Sequence, residues 1–385
     1  FKLWLPDEIK NLEFSDYKDY HYKEFNYISE NEIQVVFENI KLELFELSLE
    51  EILNFEVSVA GKTDEKVAEI PASVIIITRK QIENYGYTSI LELLQHIVGL
   101  YMLDRYTSYS GILGVRGIWA DDQNKDNGNY AILINNIYQY NLKFTLPIQA
   151  IDRVEVIRGP MSVIYGSGAM YGAINIVTNE VEENIASVTY GTNNTLSTYA
   201  GITESKDDFK YTFNLGYDRT DGIDVLYKEM MGDDNFSEFQ FIQSNYGTII
   251  TDDYSSEKQF EKWRTYINFY GSFKDIYVAA SHIDVYNEFF FLYPAFNKGN
   301  SLGTNSTRFT LGYQKQIFPS FSINARASYG FTTNDYAYDF FADLFYGTQF
   351  EYYRNLETVL DLKYTVSNKL NIVVVGQYDG IFNFK

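Results

Sequence analysis

From residue 181 onward, apolar and polar side chains alternate in runs of about ten, the length at which a tilted strand crosses a bilayer. Nine such runs can be read, at residues 185–190, 195–203, 209–218, 263–273, 276–286, 306–317, 321–332, 353–366 and 370–381. Alternation with period two gives each run one apolar and one polar face, which describes an amphipathic β-strand. In the run FKYTFNLGY, the residues Phe209, Tyr211, Phe213, Leu215 and Tyr217 share a face. The connections alternate as well. Short ones fall at 204–208, 274–275, 318–320 and 367–369, and long ones at 219–262, 287–305 and 333–352, with one short link at 191–194 on the long side. A membrane barrel sorts its turns in this way, whereas a soluble sandwich has no reason to.

Composition restricts the chemistry. The chain of 385 residues has no Cys, which excludes a disulfide scaffold, a thiolate metal site and a thiol nucleophile. A formal charge of −21 excludes a nucleic-acid partner, because nothing would neutralise phosphates. No run approaches the ~18 apolar residues of a spanning helix. The 35 Tyr and 29 Phe, with a mean hydropathy of only −0.25, suit strands with one face in lipid and the other in a lumen. A Tyr-rich soluble β-protein fits composition alone equally well.

Ahead of the strands lies a glycine-punctuated stretch, IDRVEVIRGPMSVIYGSGAMYGAINIVTN, at residues 151–179. Val154 and Val156 set against Arg153 and Glu155 predict a half-buried strand. Gly159-Pro160 breaks it, Gly166, Gly168 and Gly172 demand tight turns or close approaches, and a second strand is predicted at 173–178. The order of these residues, including Tyr165 and Asn175, resembles the plug domain of TonB-dependent outer-membrane receptors. The resemblance spans residues 47–179. Residues 67–79 match that family's first plug strand, and residues 81–98 its first helix, with Ile82, Ile90, Leu93, Leu94 and Ile97 at helical spacing and Gly99 as the stop. Val115-Arg116-Gly117 matches an internal Arg-Gly. The segment AILINN at 131–136 departs from the family's Asp-Gly, although Asn tolerates the left-handed backbone that Gly would supply.

The resemblance implies a mainly β protein: an α+β plug at 66–180, then the first part, about nine strands, of an antiparallel 22-stranded transmembrane β-barrel at 181–385. Residues 43–65 would be a periplasmic segment like the family's TonB box. Residues 1–42 lack periodicity and are expected to be disordered or part of a periplasmic segment. Twenty-two strands need roughly 220 residues, more than follow the plug, so a fragment without its signal peptide is expected.

The resemblance also implies roles. Phe55, Glu56, Val57, Ser58, Val59 and Ala60 form an alternating stretch suited to strand addition onto a TonB-type periplasmic energy-coupling protein. Arg116 and Arg158, with Glu155 in the same network, would latch the plug to barrel-wall carboxylates. Gly117 belongs to the same plug motif. Plug loops at 104–110, 120–129 and 138–144 would face the ligand, carrying or flanking Tyr106, Tyr109, Trp119, Asp121, Asp122, Tyr138 and Tyr140.

No cofactor and no metal are expected. Asp122, Asn124 and Asp126 imitate a calcium loop, but Gly128 comes one place late and Leu133 stands at the twelfth position. His21, His96 and His282 are scattered, and no catalytic triad order, phosphate loop or zinc spacing occurs, so the chain is not expected to be an enzyme. The expected function is energy-coupled import of a scarce chelate, foremost an iron–siderophore complex, across a Gram-negative outer membrane whose lipid surrounds the barrel. The alternative is a non-transporting surface adhesin or soluble β-sheet binding protein.

Overall fold

The computed structural model describes residues 20–29, 32–39, 56–57, 65–66, 73–103, 112–115, 118–119, 130–139, 145–161, 169–178, 184–245, 249–256, 260–288, 300–340, 345–367 and 370–382. The chain divides into two compact units, Phe1–Leu53 and Asn54–Lys385. In the first, β1 (Tyr20–Ser29) and β2 (Glu32–Asn39) pair as an antiparallel hairpin. This corrects the expectation of disorder over that part of 1–42. Tyr, Phe, Val and Ile crowd both strands, and these residues favour extended backbone whatever their phase.

In the second unit, β3 (Glu56–Val57) pairs with β4 (Glu65–Lys66) over two residues only. The plug then follows: β5 (Ser73–Thr78), α1 (Arg79–Tyr85), α2 (Ile90–Gln95), β6 (Leu100–Leu103), β7 (Ile112–Val115), β8 (Ile118–Trp119), β9 (Tyr130–Ile134), β10 (Ile137–Tyr138), a 3-10 turn at Ile148–Ala150, β11 (Arg153–Arg158) and β12 (Gly172–Val177). Its main sheet runs β10-β9-β12-β11-β5, with β9 and β12 parallel and the other neighbours antiparallel. The single helix expected at 81–98 is two. Thr78 and Gln81 close a capping box on α1, Gly86 ends it in the left-handed region (φ 67°), and Ser89 caps α2 afresh. The strand expected to be half-buried, β11, is buried on both faces: Arg153, Val154, Glu155, Val156 and Ile157 are all inside. It lies between β12 and β5 within the plug sheet, and its Val154 and Val156 enter the core that helices and wall share.

The nine remaining strands form one antiparallel sheet in strict sequence order: β13 (Ile185–Tyr190), β14 (Leu196–Lys206), β15 (Phe209–Thr220), β16 (Lys262–Phe273), β17 (Ile276–Glu288), β18 (Ser301–Phe318), β19 (Phe321–Phe340), β20 (Phe345–Ser367) and β21 (Leu370–Phe382). Their burial is reversed relative to a soluble sheet. On β15, Phe213, Leu215 and Tyr217 are 41%, 45% and 37% exposed, while the intervening Thr212 and Asn214 are 1% and 3% exposed. The same holds along β18 and β19, where Phe309, Leu311 and Tyr329 point out and Thr310 and Ser328 are buried. Apolar side chains outside and polar ones inside are what a lipid-facing wall requires, and the arrangement leaves the soluble alternative without support.

Two long connections differ from expectation. Residues 333–352 are mostly strand, with β19 and β20 paired from Thr333↔Tyr352 to Phe340↔Phe345. Aromatic residues continue the alternation there, so the hairpin extends well past the ~10 residues that span a bilayer. The connection at 219–262 folds on itself: α3 (Tyr227–Met231) and α4 (Asp233–Asn245) bury Tyr227, Phe236, Phe239 and Ile250 in a small core of their own.

Candidate functional site

Tyr199, Tyr266, Ile283 and Val285, from the inner face of the wall, share one hydrophobic core with Val154, Val156, Ile174 and Ile176 of the plug. The plug thus sits on the concave, polar-lined side of the sheet and never on its apolar exterior. The seam between the two is the site.

At the centre of the plug, Glu155 is wholly buried and is neutralised within the plug itself. Arg153 Nε donates to Glu155 Oε1 at 2.8 Å, and Asn175 Nδ2 donates to Glu155 Oε2 at 3.2 Å. A buried carboxylate persists only with such partners. Asn175 Oδ1 accepts the Asn136 N–H at 3.0 Å, while Asn135 and Thr178 exchange two hydrogen bonds of 2.8 Å. Asn135 and Asn136 both have positive φ, 49° and 63°, as the Asn-for-Gly departure anticipates. The turn between β9 and β10 is therefore fastened to β12 by side chains.

From the wall, Arg326 on β19 donates through Nη2 to Asn136 O at 2.8 Å and to Glu357 Oε1 of β20 at 3.1 Å. Arg264 on β16 donates through Nη1 to Thr145 O, and its Nε donates to Asp218 Oδ2 of β15 at 2.8 Å. Tyr266 is fully buried in the core that wall and plug share. Pro147 lies so close to β15 that a Cβ on Gly216 would come within 3.0 Å of its Cγ. The seam encloses a cavity of about 70 Å³, lined by Asn135, Gln139 and Leu146 of the plug and by Tyr266, Asn268 and Arg308 of the wall, among others. It has room for water, whereas a ligand pocket has ~300–1,000 Å³.

Of the latch expected from the sequence, the described residues show contacts within the plug. Arg158 donates to Val98 O at 3.0 Å and to Ser73 Oγ at 2.9 Å, tying β11 to the α2–β6 link and to β5 within the plug, and it makes no described ion pair to a wall carboxylate. Glu155 is occupied by Arg153. Arg116 and Gly117 lie outside the described residues. The described arginines that cross the seam, Arg264 and Arg326, belong to the wall. Their signal lay in the alternation: Arg326 falls in phase with Asn324 and Ser328 on the polar face of its run.

Among the motif residues, Gly159 N–H donates to Tyr171 O at 3.0 Å, and Pro160 is exposed. Gly172 (φ 154°) lies against Ile157 O and the ring of Tyr130, where a Cβ would overlap both. Tyr165, Gly166 and Gly168 lie outside the described residues, as do Phe55, Ser58, Val59 and Ala60 of the periplasmic stretch, of which only Glu56 and Val57 are described. Tyr106, Tyr109, Asp121, Asp122 and Tyr140 are likewise outside. Trp119 and Tyr138 are described as backbone of β8 and β10. His96 lies against Tyr87, with ring centroids 5.4 Å apart, and its Nδ1 is 2.8 Å from Glu92 O.

Residues 66–173 match the family model described as the TonB-dependent receptor plug domain. The chain is 26% identical over 214 residues to the vitamin B12 transporter BtuB of Vibrio vulnificus, a match covering 51% of this chain and 33% of that protein. It is 28% identical over 149 residues to an iron-regulated outer membrane virulence protein of Vibrio cholerae, covering 32% of this chain and 21% of that one. Among solved structures, the siderophore receptor PiuA of Acinetobacter baumannii superposes with a TM-score of 0.58 at 15% identity, over 85% of this chain and 48% of that chain. The ferric-catecholate import receptor Fiu of E. coli K12 gives 0.58 at 13% identity, over 85% and 52%. This chain thus spans about a third of the first curated relative and half of these solved chains. At such identities the structures speak for fold alone. The relatives are receptors and transporters, not enzymes. Residues 66–173 thus carry a TonB-dependent receptor plug domain, and with its inside-out antiparallel wall the chain is similar in sequence and fold to TonB-dependent outer-membrane receptors.

Proposed function

We propose that this chain serves the energy-coupled import of a scarce metal chelate, an iron–siderophore complex, through an outer-membrane barrel that its plug obstructs. The observation carrying the reading is the packed seam between plug and wall. Wall and plug share one hydrophobic core, and the cavity between them is about 70 Å³. A chelate of ligand size would not fit that gap, so passage along this part of the wall would require the plug to rearrange, and rearrangement against this packing would require work.

The work would enter through residues 55–60, which pair by strand addition with a TonB-type periplasmic protein. Glu56 and Val57 are held by a ladder of only two residues, which an incoming strand can displace. The outward plug loops that carry Tyr106, Tyr109, Trp119, Asp121, Asp122, Tyr138 and Tyr140 would grip the chelate before that pull. The cargo class rests on the resemblance to TonB-dependent receptors and on a relative named as an iron-regulated outer membrane protein; the vitamin B12 transporter is the reason to test cobalamin beside it. The test is growth of an iron-starved host lacking its own receptors, supplied with single ferric siderophores. Rescue by at least one, abolished by deleting residues 55–60 while surface binding persists, is the expected result. Rescue by cobalamin alone would move the cargo to another class. Uptake that survives the deletion would overturn the coupling.

A further inference from the structure

Two arginines of the wall grip the two ends of a single plug segment. Arg326 reaches Asn136 O, and Arg264 reaches Thr145 O. Both side chains are nearly enclosed, at 7% and 11% exposed. Each is also paired with a wall carboxylate on the next strand. Asp218 stands directly opposite Arg264 in register, and Glu357 lies two residues from Val359, the register partner of Arg326. We propose that Arg264 and Arg326 are positioning residues that clamp Asn136 and Thr145 of the plug to the wall, and that the clamp is built to open without stranding charge. A guanidinium has five N–H donors in a fixed fork. Here the wall carboxylate takes one part of the fork and a neutral plug carbonyl takes another. When the plug moves, the ion pair stays intact and water replaces the carbonyl. A latch between a plug arginine and a wall carboxylate would instead leave two buried charges unpaired on every opening.

The clamp can be read without cargo or energy partner, so it stands or falls apart from the import reading. Hydrogen exchange would be measured on the full-length receptor in detergent. The variants remove each ion pair together, as Arg326→Met/Glu357→Leu and Arg264→Met/Asp218→Leu, so that neither member of the pair is left without the other. In the first, the Asn136 and Gln139 amides, bonded to Asn175 Oδ1 and Ile132 O, report the freed turn. In the second, the Ala150 and Ile151 amides report the Thr145 end. Exchange at these amides is expected to rise roughly ten- to hundredfold, the factor for one lost charge-assisted hydrogen bond. The Val154 and Val156 amides should not change. Unchanged rates at the turn, or an equal rise at Val154 and Val156, would overturn the clamp. Should a double variant fail to fold, Arg326→Lys keeps the charge but not the fork, and the same local pattern is required of it.

Discussion

Gly172 and Glu155 face each other's strands across β11 and β12, and each fixes the plug for a different reason. At Gly172 the constraint is steric. A Cβ there would overlap Ile157 O and the Tyr130 ring, whose hydroxyl donates to that same carbonyl at 2.8 Å. Gly172→Ala should therefore cost roughly 1–3 kcal/mol of plug stability, seen as earlier proteolysis of the plug with the barrel intact. At Glu155 the constraint is electrostatic. Glu155→Ala leaves the buried Arg153 with Asp152 as its remaining carboxylate neighbour, and breaking such a pair costs about 3–5 kcal/mol, toward the lower end here. Glu155→Gln keeps an acceptor for Asn175 and should lose less, a ranking that chemical unfolding of the plug can check. Both residues could be picked from the sequence as points of constraint, but not their partners. The alternation around Glu155 predicts a solvent face, whereas in the fold the side chain is wholly buried beside Arg153 and Asn175. Arg264 and Arg326 escaped notice because a charged residue on the inner face of a barrel strand reads as ordinary lumen polarity.

At the scale of elements, all nine wall strands and their short turns were legible, because period-two alternation persists wherever one face meets lipid, but the far ends of β18, β19 and β20 were not. The break between α1 and α2 is marked by Thr78, Gln81, Gly86 and Ser89, but the apolar spacing of Ile82 and Ile90 runs straight across it and hides it, so a single helix is what the sequence suggests. The α3–α4 insertion was not legible, since its core of Tyr227, Phe236, Phe239 and Ile250 lies within a generally polar connection. It is closed by Lys228, whose Nζ lies 2.8 Å from Asp252 Oδ2 and 3.6 Å from Asp233 Oδ1. The hydrogen bond with Asp252 raises the Lys228 ammonium above its ordinary range, and the same bond, with one from Gln240, holds Asp252 below the usual carboxylate range. The signs follow directly. The Asp252 contribution is present above the ordinary aspartate value and is lost as pH falls through the lowered one. The Lys228 contribution is present below the ordinary lysine value and is lost as pH rises through the raised one. The link should hold from mildly acidic to mildly basic pH and loosen at both extremes. Lys228→Met should show the loosened state at neutral pH, read as faster exchange of the Tyr227 amide, which is bonded to Tyr254 O.

For the whole molecule, the decisive property is the reversal of inside and outside along β13–β21. If Leu215 faces lipid near mid-strand, Leu215→Arg should destabilise the folded wall by roughly 2–4 kcal/mol, while a polar change on the inner face at Thr212 should cost far less. A nitroxide on Leu215→Cys should collide with oxygen in the bilayer, and one on Thr212→Cys should not. The sheet also makes a demand on its own closure. β13 and β21 form its two edges and, as first and ninth members of an alternating series, run in the same direction. Edge amides and carbonyls cannot remain unpaired in hydrocarbon, so strands must join both edges. An antiparallel strand laid on each edge starts and ends the completing set in one direction, which is possible only with an odd number of strands and gives an even total. Two copies joined edge to edge in one orientation cannot do this, because β21 of one would meet β13 of the other in parallel. A purified receptor whose closed wall counts an odd total of strands, or whose β13 and β21 pair parallel with a second copy, would contradict this reading of the cylinder.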